Sequence, residues 1–342
     1  MTTDFLPATS FAELTVRIGD LPQFDEEAAQ RARARQDCLT KPPGSLGRLE
    51  DLAIFMAGWQ ARAMPSVANA QALVFAGNHG ICAQGVNVYP QSVTAQMVAN
   101  FEAGGAAINQ LSKVAGAKLS VIALDLERPT HDATLRDAMS EHETLDAMAR
   151  GYGAVDPAAD IVVLGEMGIG NSTIAAALAL VLFGGKAQDW VGPGTGANAL
   201  GVSLKADVIG RVRDRIGNLP ARGPLHILAA IGGREQAALC GAILAARARR
   251  IPVILDGFIC TASAGVLHRL APGLLDNCIA GHVGAEPGHR PLLEKLTKRP
   301  LLDLGMRLGE GSGAAVALLL VKSAIAAHTG MATFDQAGVS DK

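Results

Sequence analysis

Ile161-Val162-Val163-Leu164-Gly165-Glu166-Met167-Gly168-Ile169-Gly170-Asn171-Ser172-Thr173 is the stretch that decides the fold. An apolar run enters a glycine-rich turn, and an apolar helical pattern over residues 174–183 follows. A short continuous apolar run, then a turn, then a helix is the pattern of a parallel strand buried on both faces. The pattern recurs. Residues 72–76 run into Gly77-Asn78-His79-Gly80, residues 119–124 into Asp125, and residues 226–231 into Gly232-Gly233-Arg234-Glu235. Residues 252–255 run into Asp256-Gly257, and a shorter run near 278–280 ends at Gly281-His282. Strands alternating with helices predict an α/β fold with a parallel sheet, helices on both faces, and a ligand crevice beyond the carboxyl ends of the strands.

Outward from this body the pattern turns helical at both ends. A charged helical stretch at 25–37 is followed by Lys41-Pro42-Pro43-Gly44-Ser45-Leu46-Gly47, a forced loop, and a helix over about 48–63. After about residue 300 the chain is helical again. We therefore expect residues 1–64 together with about 321–342 to form a small helical domain, and about 65–320 a large α/β domain.

The chain has 342 residues, 49% apolar but only 4% aromatic, so its core is built from small aliphatic residues packed with the help of 39 glycines. Thirty basic and 32 acidic residues, without blocks of either sign, offer no electrostatic footprint for nucleic acid or an anionic membrane. Arg247-Ala248-Arg249-Arg250 closes a helical pattern, where cations suit the helix dipole. Five scattered cysteines without metal spacing read as free thiols in a reducing compartment. The opening Met-Thr-Thr-Asp-Phe-Leu lacks the order of a signal peptide, and the runs 174–183 and 314–321 are too short to span a bilayer. A soluble, cytoplasmic protein is expected.

Chemistry gathers at the strand ends. The turn at 165–173 opens a helix, where backbone N–H groups and the dipole favour an anion such as phosphate. It matches neither a P-loop nor a standard dinucleotide fingerprint, and alone it also reads as an ordinary capped turn. Gly192-Pro193-Gly194-Thr195-Gly196 is a second glycine loop, with Lys205 beyond it as a cation for phosphate. Glu166, Asp256 and Glu310 are carboxylates at element ends, suited to proton transfer or to stabilising a sugar cation. Glu310 lies in Leu308-Gly309-Glu310-Gly311-Ser312-Gly313, where glycines leave space for a flat ligand; the plain alternative is a helix start with Ser312 as N-cap. His79 and His282 sit beside glycines without ligand spacing, which favours hydrogen bonding over metal. Ser263 and Ser312 lack a nucleophile-elbow context.

Taken in order, residues 41–47, 76–80, 89–94, 165–173, 192–196, 232–235, 255–258 and 308–313 resemble the nicotinate-nucleotide–dimethylbenzimidazole phosphoribosyltransferase family over roughly residues 40–320. The resemblance implies a Rossmann-like sheet, a small helical domain from both ends, a homodimer, and no cofactor or metal. It implies transfer of phosphoribose from nicotinate mononucleotide to 5,6-dimethylbenzimidazole in cobalamin assembly. It places the general base at Glu310, with Glu166 near the reacting centre. Phosphate and ribose fall to Gly168, Gly170, Asn171, Ser172, Thr173, Lys205 and Asp256. The aromatic base falls to Tyr89, Pro90, Gln91, Gln96, Met97, Leu308 and Gly309. Asn78 stands where the family motif often carries an acidic residue.

The residues suit that chemistry. The leaving pyridinium needs no general acid, and one carboxylate removes the benzimidazole proton. Inversion from β substrate to α product needs no covalent intermediate. Two alternatives carry other features. A nucleotide-dependent oxidoreductase would need a different turn after residues 72–76, and a nucleotide-sensing protein would use Glu310 structurally. A helix terminus would lower the pKa of Glu310 and an apolar pocket would raise it.

Overall fold

The computed structural model describes residues 7–217, 221 and 223–340. The N-terminal hexapeptide and the last two residues lie outside them. Five parallel strands form one sheet: β1 (Ala70–Ala76), β2 (Ala117–Ala123), β3 (Ile161–Met167), β4 (Val253–Leu255) and β5 (Cys278–Ala280), in the order β2-β1-β3-β4-β5. From β1 the chain passes to β2 on one side and then to β3 on the other, so the topological switch lies at β1 and β3. Ligand crevices form beyond the carboxyl ends of strands at such a point.

Side chains alternate across the sheet with the period of two that strands impose. Leu73, Phe75, Val162, Leu164, Val253 and Leu255 face one way, into the core under helices Asn171–Phe183, Arg234–Ala248 and Phe258–Leu270. Ala72, Ile161, Val163 and Ile254 face the other way, against helices Arg48–Trp59 and Ser312–Gly330. Burial on both faces explains why β1, β3, β4 and β5 read as largely apolar runs; β2, at the sheet edge, is only partly buried.

One expected strand is a helix. Residues 226–231 lie in helix Pro224–Ile231, with Pro224 in its first turn, Gly223 at φ +96° before it and Gly232 as its C-cap. A short apolar run carries no period that separates buried helix from buried strand, and the flanking proline and glycine decide it here. The helix expected over 48–63 closes earlier, at Trp59. The apolar run at 314–321 is part of a 19-residue helix, Ser312–Gly330, long and apolar enough to cross a membrane but half buried inside the protein. Its buried face fills the space between the sheet and helix Arg48–Trp59.

The two ends of the chain interlock. Arg35 donates to the carbonyls of His328 (2.7 Å) and Met331 (3.1 Å), and Leu39 bridges Thr333. The proline-rich loop is held by the buried Lys41–Glu50 pair (2.8 Å), whose carboxylate also accepts from the Leu46 amide.

Candidate active site

The pocket at the carboxyl ends of the strands is built on the turn that follows β3. Glu166, Gly168, Gly170, Asn171, Ser172 and Thr173 all line it. Gly170, at φ +94°, turns the chain into helix Asn171–Phe183, which has no acidic residue in its first turn. The Thr173 hydroxyl is buried there without a hydrogen-bond partner among the described residues. Gly168 packs so close that a Cβ would stand 2.5 Å from the Gly77 carbonyl, which brings the β1 and β3 loops together.

Lys205 reaches the same wall from helix Ala199–Ile216, donating to the Gly192 carbonyl (3.1 Å) and lying 3.5 Å from Ser172 Oγ. It is buried, and burial lowers its pKa, with Glu286 opposing that effect. Glu286 accepts from the Gly194 amide (2.8 Å), and Arg307 lies 3.3 Å from the Gly194 carbonyl. A helix terminus, a lysine and an arginine around one corner suit a phosphate dianion. The sequence reading missed Glu286 and Arg307. Neither stands at the end of a predicted strand, and only the fold brings Glu286 and Arg307 against the loop at 192–196.

Glu310 occupies an unusual backbone position. Gly309, Glu310 and Gly311 have φ of +83°, +63° and +84°, a left-handed run in which only the carboxylate bears a side chain. Such a conformation costs about 1–3 kcal/mol and persists where the surroundings enforce it. The enforcement is visible at Gly165, where any Cβ would collide with the backbone of Glu310 and Gly311. Glu310 is buried at 6% exposure, and its Oε2 has no hydrogen-bond partner among the described residues. Burial first, and then the Asp256 charge, raise its pKa.

Asp256 differs from its expected role in holding phosphate or ribose. It is fully buried, and its carboxylate accepts from the amides of Gly311 (3.1 Å) and Ala314 (2.9 Å). It therefore supplies the acceptor at the start of helix Ser312–Gly330. Gly311 is the N-cap, and Ser312, read as that cap, instead donates its hydroxyl to the Gly309 carbonyl. This arrangement resolves the competing influences on Glu310. The terminal amides serve Asp256, so the pocket sets the pKa of Glu310 and the helix terminus does not lower it.

Glu166 is pushed up to about 8 by burial above all, and then by the charges of Asp256, Glu235 and Glu310, although Asn171 donates to it. Neighbouring negative charge in a buried region disfavours the ionised form of Glu166. Behind them, His79 stands 3.0 Å from Glu235 with both side chains fully buried.

Leu308 and Gly309 line the pocket as expected for base binding. The remaining residues assigned to the base do not reach its wall. Tyr89 is exposed, as are Pro90 and Gln96; Gln91 donates to the His79 carbonyl, and Met97 packs beside Val74 and Phe101. The pocket meets this segment at Val86 and Asn87 instead.

Comparison with known proteins gives a consistent picture. A family described as Phosphoribosyltransferase matches residues 21–339. The nicotinate-nucleotide–dimethylbenzimidazole phosphoribosyltransferase of Rhodobacter capsulatus is 56% identical over 335 residues, covering 98% of this chain and 99% of its own. That of Ruegeria pomeroyi is 55% identical over 337 residues, with the same coverages. A solved structure of the Thermus thermophilus protein of that name is similar at a TM-score of 0.86 and 39% identity, covering 93% of this chain and all of that one.

Proposed function

The chain belongs to the nicotinate-nucleotide–dimethylbenzimidazole phosphoribosyltransferase family, and on that premise we propose a single displacement in which Glu310 is the general base. The enzyme transfers phosphoribose from nicotinate mononucleotide to 5,6-dimethylbenzimidazole in cobalamin biosynthesis, giving α-ribazole 5′-phosphate and nicotinate. The observation that carries the base assignment is a buried carboxylate oxygen without a partner among the described residues, on a strained loop whose Leu308 and Gly309 line the pocket.

The nucleotide phosphate sits on Gly168, Gly170, Ser172, Thr173 and Lys205, with Arg307 closing the corner. The benzimidazole lies beside Leu308 and Gly309. One ring nitrogen attacks C1′ from the face opposite the pyridinium, and the proton on its other nitrogen passes to Glu310. A base whose pKa is raised toward the working pH accepts that proton most effectively. Glu166 holds a proton at neutral pH, so it adds no full charge against Glu310 and presents a hydrogen-bond donor near the reacting carbon.

Incubation with nicotinate mononucleotide and dimethylbenzimidazole should yield α-ribazole 5′-phosphate. Glu310→Gln should retain nucleotide binding while turnover falls about 10²–10⁴-fold. Full turnover in that variant would remove Glu310 from the role.

We also infer a cytoplasmic homodimer. Val88, Tyr89, Leu304 and Leu308 are exposed in segments that flank pocket residues, a distribution that suits contact with a second copy. Light scattering should give twice the chain mass, and a monomeric mass at working concentration would contradict it.

A further inference from the structure

Two histidines stand near the pocket, and only one has its hydrogen bonds met. His289 is neutral, its pKa pushed down to about 3 by burial. Its Nδ1 accepts from the Gly284 amide (2.8 Å), and its Nε2 meets Thr261 Oγ1 at 3.1 Å. His282, its ring 6.0 Å away, lines the pocket at 2% exposure, yet neither ring nitrogen has a hydrogen-bond partner among the described residues.

The ring of His282 is nevertheless fixed. One face presses on Gly313, where no Cβ fits, and its Cε1 lies 3.5 Å from the Cβ position of Gly284. Its Nε2 stands 3.4 Å from Asp256 Oδ1. With Nε2 beside that carboxylate, Nδ1 is the ring nitrogen left for a ligand. A buried acceptor without a partner is costly unless a ligand supplies the donor. His282 follows β5 and lines the same pocket as the phosphate corner at Lys205, its Nε2 3.6 Å from the Cβ position of Gly257 and its ring against Gly313, three residues past Glu310. A nucleotide with its phosphate at that corner and C1′ toward Glu310 carries its sugar across this wall.

We propose that His282, backed by Asp256, accepts a hydrogen bond from one ribose hydroxyl of the nucleotide and so selects ribonucleotide over deoxyribonucleotide substrates. This rests on the placement of phosphate and base given above. It also reassigns Asp256, from direct contact with the sugar to support of the residue that makes it.

The test compares kcat/KM for nicotinate mononucleotide and its 2′-deoxy and 3′-deoxy counterparts in the wild type and in His282→Ala. Intrinsic reactivity cancels when each ratio is compared between the two proteins. A site built to pair a hydroxyl rejects the analogue that lacks it. The wild type should disfavour one deoxy substrate, and His282→Ala should reduce that preference about tenfold by slowing the two substrates that keep the paired hydroxyl and sparing the one that lacks it. Equal slowing of all three substrates would mark a purely structural role and overturn the proposal. So would an unchanged preference. Should His282→Ala fail to fold, ring-nitrogen NMR of the wild-type protein decides. The His282 signal should move with the ribonucleotide and stay with one deoxy analogue; identical responses to all three overturn the inference. Glu310→Gln run in parallel separates the two readings, because full turnover there removes the base assignment and leaves the hydroxyl comparison to judge His282.

Discussion

Between Gly309 and Gly311, a carboxylate is held in a backbone conformation that side-chain-bearing residues seldom adopt. The glycines of this hexapeptide were legible in the sequence as space beside an acid, and so was the strand-to-helix turn at 165–173. The destination of the helix amides was not legible, because Asp256 is 55 positions from Gly311 and only the sheet brings them together. Glu166 gives the clearest prediction at this scale. Its ordinary value is 4.5 and its folded value about 8, so between those limits the folded state binds more protons than the unfolded state. Its contribution to stability is full below about pH 4.5 and is lost as pH rises through about 8. Glu166→Gln removes this dependence. The melting temperature of Glu166→Gln relative to the parent should therefore climb between about pH 5 and 8, and a constant difference would contradict the raised pKa.

The sheet was readable at the level of elements because β1, β3, β4 and β5 are buried along nearly their whole length and almost wholly apolar, with Gln71 and Glu166 the polar exceptions, while the edge strand β2 is only partly buried. Helix Pro224–Ile231 escaped that reading for the same reason, since a buried helix of eight residues is equally apolar. Element contacts impose a stricter requirement than hydrophobicity. Helices Glu141–Ala154 and Arg234–Ala248 meet backbone to backbone. A Cβ at Gly151 would strike the Ala238 carbonyl, and one at Gly241 would strike that of Met148. Gly151→Ala must push the helices apart, and overpacking of this kind costs about 1–3 kcal/mol. Urea unfolding should show that loss, with substrate KM unchanged because neither helix lines the pocket. An unaltered midpoint would mean the helices separate freely.

Over the whole molecule, the chain ends clasp one another through Arg35, His328 and the Leu39–Thr333 bridge, while helix Arg48–Trp59 shares its core with the sheet. The helical character of both ends was legible from their patterns. Their joining into one unit was expected as well, but the residues that make the contact were not legible, since Arg35 and His328 are 293 positions apart and paired by fold alone. The buried carboxylates have a consequence for the protein as an ion. A formal charge of -2 at pH 7 counts every acid as ionised. With Glu166 holding its proton to about 8, the native molecule is nearly one unit less negative than its composition states. In urea, Glu166→Gln should focus nearer the cathode than the parent, because it lacks one ionised acid, whereas the two native forms should nearly coincide. Native bands separated as widely as those in urea would mean that the proton is not retained.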